Sequence, residues 1–416
     1  MSSETSNASE PKLDLAKWAN LPNKLMLGGG ITLLIGLLLP VWREQFFYSY
    51  LTGFMFFLSL MLGSMFLVIL HHLFDAYWLV PIRRFLEHMA CLALPMGLLF
   101  LPILLFSNSI YPWMRIEDPH SDHALHVKVA LFNKPAFWVV SILLFAVWYW
   151  LSNSLRKHSL AQDETGAATH THSLRKLAAS GVFIFAITLT LGVIYWMKSL
   201  EHQWFSTMYG VYYFAGSVWL TLATTYLMTA ILKRTGHLAP VVTDNTFKDI
   251  GTLFFAFTVF YAYIHFSQYF LIWNAAIPEE TFWYVKRENG IWWSLGILII
   301  FGHFFVPFLA MLRIDVKKSL TIMGPLAIWA WLMHYADMTY NIKPVIDPEG
   351  SGISLGGFVQ SIAAMAFMGG VLAKSFLKSF ISHPPFPQRD PRIAEALGVY
   401  VELESETAAK TKSADA

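Results

Sequence analysis

Cysteine is almost absent from this 416-residue chain: Cys91, inside an apolar stretch, is the only one. A lone cysteine cannot close an internal disulfide, supply four thiolates to an iron–sulfur cluster or provide the paired cysteines of c-type haem attachment. Charge is scarce as well. Only 13% of residues are charged, about half the share of an ordinary soluble domain, while 56% are hydrophobic and 16% aromatic. That composition excludes a water-facing globular enzyme and a disordered chain. Basic and acidic residues nearly balance at 29 and 27, without the excess of positive charge that marks a nucleic-acid-binding protein. Signatures of self-contained chemistry are missing too, with no phosphate-cradling G-x-x-x-x-G-K-[ST] loop, zinc-protease helix or nucleophile elbow.

What the chain has instead is long apolar runs. Ten of them, at about 24–42, 47–72, 88–107, 135–152, 178–197, 207–232, 249–275, 291–312, 320–339 and 357–380, match the length of a bilayer-crossing helix. Lipid offers the backbone no hydrogen-bond partners, and the runs lack the alternation of barrel strands. The expected fold is therefore an all-α integral membrane protein with ten transmembrane helices. Pro95, Pro102 and Pro307 mark expected kinks, and Gly28-Gly29-Gly30, in an apolar span, reads as a packing feature.

Threading the spans alternately puts 21 of the 29 Lys and Arg residues on the side of the N-terminus, which predicts both termini in the cytoplasm. Residues 1–23 then form a cytoplasmic segment with no removable signal peptide, and 24–380 the ten-helix domain. Residues 381–416 form a Pro-rich, then charged, cytoplasmic tail lying on a neighbour or on its own bundle. The longest inside connection, about 153–177, is polar and reads as a mobile loop. Ser49, Gly53 and Phe57 share their spacing with Ser206, Gly210 and Phe214. This repeat suggests two parallel four-helix bundles, spans 2–5 and 6–9, plus two peripheral helices.

Ionisable groups within or beside such spans are costly and point to function. His71 and Asp75 share a helical face with Ser64 at the inner end of span 2. Arg83 with Glu87, and Arg84 with His88, are four apart and can pair. This cluster is either a set of interfacial anchors or a site of proton uptake. Span 6 carries a stripe of hydroxyls (Tyr213, Ser217, Thr221, Thr224 or Thr225) better suited to gluing helices than to relaying protons. In span 7, Tyr261, His265 and Gln268 share a face with Thr258, beside Tyr269. Span 8 adds His303, and span 9 adds His334 and Asp337. Such a His–Asp–Tyr set suits proton transfer near neutral pH. His265 and His303 could alternatively ligate a b-type haem. On the outer side Glu201, His202 and Glu280 could exchange protons with water. The loop Asp118–His126 looks superficially like a metal site but matches no ligand spacing, and no metal site is expected.

Three stretches, Met197–Tyr212 (MKSLEHQWFSTMYGVY), Tyr261–Tyr284 (YAYIHFSQYFLIWNAAIPEETFWY) and Gly302–Phe308 (GHFFVPF), carry a family look. The chain resembles the NrfD/PsrC-like membrane subunits, and more narrowly the smaller such subunit of alternative complex III. The resemblance runs through all ten spans. It implies a subunit of a bacterial inner-membrane respiratory complex that oxidises quinol and reduces a cytochrome c or an oxidase. Partners would include a larger NrfD-like subunit and periplasmic subunits holding haem c and iron–sulfur clusters. This chain would conduct protons and scaffold the complex. His71, Asp75, Glu87 and His88 would take protons up, Tyr261, His265, Gln268, His303, His334 and Asp337 would pass them, and Glu201, His202 and Glu280 would release them. A quinone near His265 and Tyr269 is a further expectation. The other classes open to the chain are a secondary transporter and a purely structural membrane anchor.

Overall fold

A computed structural model describes residues 18–352 and 354–399; residues 1–17 of the expected N-terminal segment and 400–416 of the expected tail lie outside the described residues. Among the described residues the chain is all-helical, with no strand. The helices that matter here are α1 (Leu21–Leu38), α2 (Pro40–Phe74), α3 (Val80–Ala90), α4 (Ala93–Leu105), α5 (Lys134–Thr165) and α6 (Ala168–Trp196). They continue with α7 (Tyr209–Arg234), α8 (Asp244–Ala275), α9 (Pro278–Arg287), α10 (Gly290–Ile299), α11 (Val306–Ala310), α12 (Leu320–Ile342) and α13 (Leu355–Ile381). Nine helical stretches among the described residues are long and apolar enough to cross a bilayer, so the chain reads as a multi-pass membrane protein. They coincide with nine of the ten runs. The remaining run, 320–339, forms α12, a helix of similar length that Pro325, two tryptophans, His334 and Asp337 make less apolar.

Short polar side chains start several helices by accepting from their first free N–H groups. Asn133 caps α5, Ser354 caps α13, and Thr243 with Thr246 forms a reciprocal capping box on α8. Prolines set the breaks. α1 gives way to α2 at Pro40, and α3 to α4 at Cys91–Leu92, four residues before Pro95. Upstream of Pro307, residues Ile300–Phe305 widen into a π-helical turn carrying His303. A proline ring collides with the carbonyl four residues back, and a wider turn relieves that collision.

The expected mobile loop at 153–177 is not there. α5 and α6 run straight through it and meet at Gly166–Ala167, whose glycine takes a left-handed conformation (φ 69°). The polar residues pair across the hairpin and with other helices: Gln162 Nε2 donates to Thr171 Oγ1 at 2.7 Å, and His158 and His170 meet at 3.3 Å. Polarity alone misread a water-exposed helical hairpin as a loop.

α2 sits at the centre. Nearly every residue from Phe46 to Ile69 is buried, whichever way it points, the mark of a helix enclosed on all sides. It packs against α7, α3, α6, α13, α12 and α1. The approach to α7 is closest at Gly63, where a Cβ would collide with Thr221 Oγ1 and lie 2.5 Å from the Ser217 carbonyl. The hydroxyl stripe of α7 serves this contact. Ser217, Thr221, Thr225 and Thr229 each donate to the carbonyl four residues back in their own helix. At the periphery α1 lies on α13, and Gly29 permits it, since a Cβ there would stand 2.6 Å from the Phe367 amide.

The two ends of the bundle differ. One, the loop face, carries the 107–133 connection, the Lys198–Glu201 turn and α9. The other, the hairpin face, carries the α2–α3 turn, the tip of the α5–α6 hairpin and the C-terminal segment 383–399. Replacing Gly63 by alanine is expected to destabilise the solubilised protein by about 1–3 kcal/mol through overpacking. Gly28→Ala, with open space around it, should leave the melting temperature unchanged. Equal thermal-shift curves for the two variants would refute the close α2–α7 contact.

Candidate functional site

On the hairpin face, His71, Asp75, Glu87 and His88 do come together, but arginines hold them. Arg83 Nε lies 3.0 Å from Glu87 Oε1, and Arg84 donates to Glu87 Oε2 at 2.7 Å and to Asp163. Arg84 does not pair with His88 as expected. His88 Nδ1 meets Ser379 Oγ at 2.9 Å instead. His71 accepts from Arg83 at 2.9 Å and its other nitrogen faces the Ala76 carbonyl at 3.0 Å. Asp75, in a left-handed C-cap position, binds Arg175 and Arg392, each at 2.6 Å. The residue that completes the cluster is Asp390 of the C-terminal segment, fully enclosed between Arg83 and Arg392. Burial works to raise its pKa, but the neighbouring His71 and the two guanidiniums outweigh that and hold it far below the usual carboxylate range. The described part of the tail, up to residue 399, therefore lies on its own bundle. Among the described residues no hydrogen bond joins this cluster to the polar groups deeper in the bundle.

Those deeper groups converge from α7, α8, α10–α11 and α12. Tyr212 Oη, on α7, donates to Asp337 Oδ1 and lies 3.2 Å from Tyr261 Oη of α8. Asn341, one turn beyond Asp337, donates to the same oxygen at 3.2 Å and to Tyr212 Oη at 2.9 Å, and accepts from Tyr209 at 2.8 Å. Tyr261 Oη reaches His265 Nδ1 at 3.5 Å. His303 projects from the π-helical turn and is sandwiched between Trp219 and Tyr261, each ring centroid 3.7 Å away. Trp329 holds the turn open by donating to the Gly302 carbonyl at 2.8 Å. His334 meets Ser59 of α2 at 3.0 Å.

Although all three are fully buried, both ring nitrogens of His303, Nδ1 of His334 and Oδ2 of Asp337 have no hydrogen-bond partner. One donor atom from each of these residues lies within 4.8 Å of the others. No metal site was expected, and this is the one group among the described residues whose donors could meet at a cation. The same spacing suits groups that exchange a proton through a bridging water. Burying unpaired polar atoms costs about 1–3 kcal/mol each, so their concentration here signals a site rather than packing.

A cavity of about 430 Å³ opens beside this cluster, within the size range of ligand pockets. Tyr261, His265, Tyr269, Tyr284, Arg287 and Tyr340 line it. Its rim residues Phe266, Trp293 and Phe305 are exposed on the flank of the bundle, so access is from the lipid side. Gln268 stands just outside, accepting from Ser206 at 2.8 Å and donating to Tyr284 at 3.0 Å. No family model matches the chain, and no curated protein does either.

The loop-face candidates divide. Glu201 forms a buried pair with Arg287 at 3.1 Å and a second with Lys286 at 3.0 Å. Arg287 also donates to the carbonyls of Tyr340 and Asn341, closing the end of α12 just beyond Asp337. His202 binds Asp122 at 2.8 Å, and that bond draws the Asp122 carboxyl down to about 2. Asp122 thus anchors the 118–126 loop to the turn that carries His202. Glu280 stands apart, half-buried, its backbone carbonyl accepting from Trp204 at 3.0 Å and its backbone N–H donating to the Ile277 carbonyl. The haem alternative fails on geometry: Tyr261 stacks on His303 and contacts His265, filling the space a porphyrin would need between them.

Sequence reasoning missed Tyr212, Asn341, Ser59, Arg287 as a clamp, and Asp390. Asn341 was legible as the residue four after Asp337; Tyr212 and Ser59 come from other helices, and no local spacing marks them. Asp390→Asn is expected to free the C-terminal segment. Removing one partner from a buried ion pair costs about 3–5 kcal/mol, so trypsin should cut after Arg389 or Arg392 much faster than in the wild type. Unchanged cleavage would show that the segment is held elsewhere.

Proposed function

We propose that this chain is an NrfD/PsrC-like integral membrane subunit of a quinol-oxidising electron-transfer complex of a bacterial inner membrane, and that it couples proton movement to quinol chemistry. In this reading α12 is the tenth span, with both termini cytoplasmic. Spans 2–5 and 6–9 make two four-helix units flanked by α1 and α13. The partners are a larger NrfD-like subunit and periplasmic subunits carrying haem c and iron–sulfur clusters.

The observation that carries the reading is a continuous hydrogen-bonded path. It starts at Tyr261, on the wall of the lipid-accessible aromatic pocket, passes through Tyr212 and ends at a buried Asp337 carboxyl beside His334 and His303. A quinone ring in that pocket would have His265 and Tyr261 at its polar edge and Tyr269 against its face. A phenolic hydroxyl next to a carboxylate can hand a proton inward without moving the backbone. Glu201 and Arg287, at the end of α12, stand between this path and the loop face. The hairpin-face cluster, saturated by arginines, suits anchoring better than proton uptake, so His71, Asp75, Glu87 and His88 leave the route.

Two measurements test this. In the assembled complex reconstituted in vesicles, Asp337→Asn and Tyr212→Phe should each lower proton translocation per electron by about tenfold while the complex still assembles. An unchanged stoichiometry in both would overturn the proton path. A photoreactive quinone should label the chain on α8 near His265 and Tyr269, and labelling confined to the larger NrfD-like subunit would remove quinone from this pocket.

A further inference from the structure

A second cavity, about 980 Å³ and so larger than the aromatic pocket, lies away from this path, between α12 and α13 on one side and α2, α3, α4 and α7 on the other. It is long rather than round. Its lining on α13 runs from Phe358 to Leu377, which at 1.5 Å per residue is about 28 Å, close to the thickness of a bilayer's hydrocarbon core. Leu332, Phe358 and Ile362 on its rim are exposed, so it opens sideways towards lipid. Met61, Met89, Met96, Met228 and Met365 contribute much of the wall, and unbranched thioethers adapt to a flexible chain better than branched residues do.

One end is polar. Tyr335, Thr339 and Lys343 recur every four residues along α12 and the turn that follows it, so they share a face, with Ser361 of α13 opposite. Lys343 is 4% exposed, and its Nζ has a single partner, Ser361 Oγ at 2.8 Å. No carboxylate lies within 4.0 Å of it among the described residues. Burial lowers its pKa to about 8, which still leaves it an ammonium at neutral pH. Beside it, Tyr335 Oη and Thr339 Oγ1 are buried and have no hydrogen-bond partner. A buried, nearly unpartnered cation next to two free hydroxyls, at the mouth of a long apolar channel, defines its occupant by chemistry: an anionic head on a long apolar tail.

We propose that this cavity binds an anionic phospholipid, its phosphate held by Lys343 and Ser361 and an acyl chain laid along the methionine-lined channel. Tyr335 and Thr339 then donate to the ester and phosphate oxygens. A neutral quinone would fill the channel but leave the ammonium without a counter-charge, which an apolar site disfavours. A free phosphate would pair with the ammonium and leave the channel empty of the tail it fits.

The test uses the full chain, in whatever assembly it is extracted, stripped of loosely bound lipid in mild detergent. Native mass spectrometry should show phosphatidylglycerol retained preferentially over phosphatidylcholine on the unmodified protein. Lys343→Met should reduce that retention by about tenfold, while Lys343→Arg keeps it. If Lys343→Met does not fold, the double variant Tyr335→Phe with Thr339→Val serves, with an expected loss of several-fold. Equal retention of the two lipids by the wild type, retention unaffected by Lys343→Met, a quinone in place of the lipid, or equal thermal stabilisation by inorganic phosphate alone would each overturn the proposal.

Discussion

The position of every other element follows from the enclosure of α2. A 35-residue helix with apolar groups all round can be satisfied only by neighbours on every side, and α7 comes closest because Gly63 lets the two backbones approach. Ser217, Thr221 and Thr225 on that contact donate to carbonyls of their own helix, and Tyr213 donates across it to the Met55 carbonyl of α2, so these hydroxyls are spent on the contact itself. The contact thereby separates the two polar regions of the protein. The hairpin-face cluster lies beyond the C-terminal end of α2, and the Tyr212–Asp337 group lies against its middle through His334 and Ser59.

These two regions treat polarity in opposite ways. On the hairpin face, three buried arginines, Arg83, Arg84 and Arg392, meet Glu87, Asp163, Asp75 and Asp390, so charge is balanced among several partners. Such a network fixes geometry and resists change of protonation, because every carboxylate there faces a cation that cannot let go of its proton. Around α12 the ionisable groups have no fixed counter-charge. His303, His334 and Asp337 hold unpaired atoms within reach of one another, and the aromatic rings about them keep bulk water out. Groups in that state can change protonation, and a π-helical turn supplies one of them.

Span positions were legible in the sequence because a bilayer demands long uninterrupted apolar runs, and nothing else in the chain resembles them. The same logic failed where water replaces lipid. Between 153 and 177 polarity implied a loop, yet helices in water tolerate polar residues on both faces when those residues pair, as Gln162 does with Thr171. Within the site, residues on one helix at helical spacing were readable: Tyr261 with His265, and His334 with Asp337. Partners contributed by other helices were not, since Tyr212 meets Asp337 across 125 positions and Asp390 meets Arg83 across 307. No local spacing encodes those meetings. They exist because α2 draws its neighbours together.

The buried place of Asp390 also has a meaning in time. Arg83 and Arg84 are synthesised some three hundred residues before it, and the first carboxylates to pair with them are Glu87 and then Asp163. Helices α1 to α13 must therefore enter the membrane while the hairpin-face cluster still lacks one of its negative charges. Its last carboxylate arrives only after the final span has been made. Docking of the segment around residue 390 is thus a closing step of biogenesis, which a chain stalled or cut short after α13 would never reach.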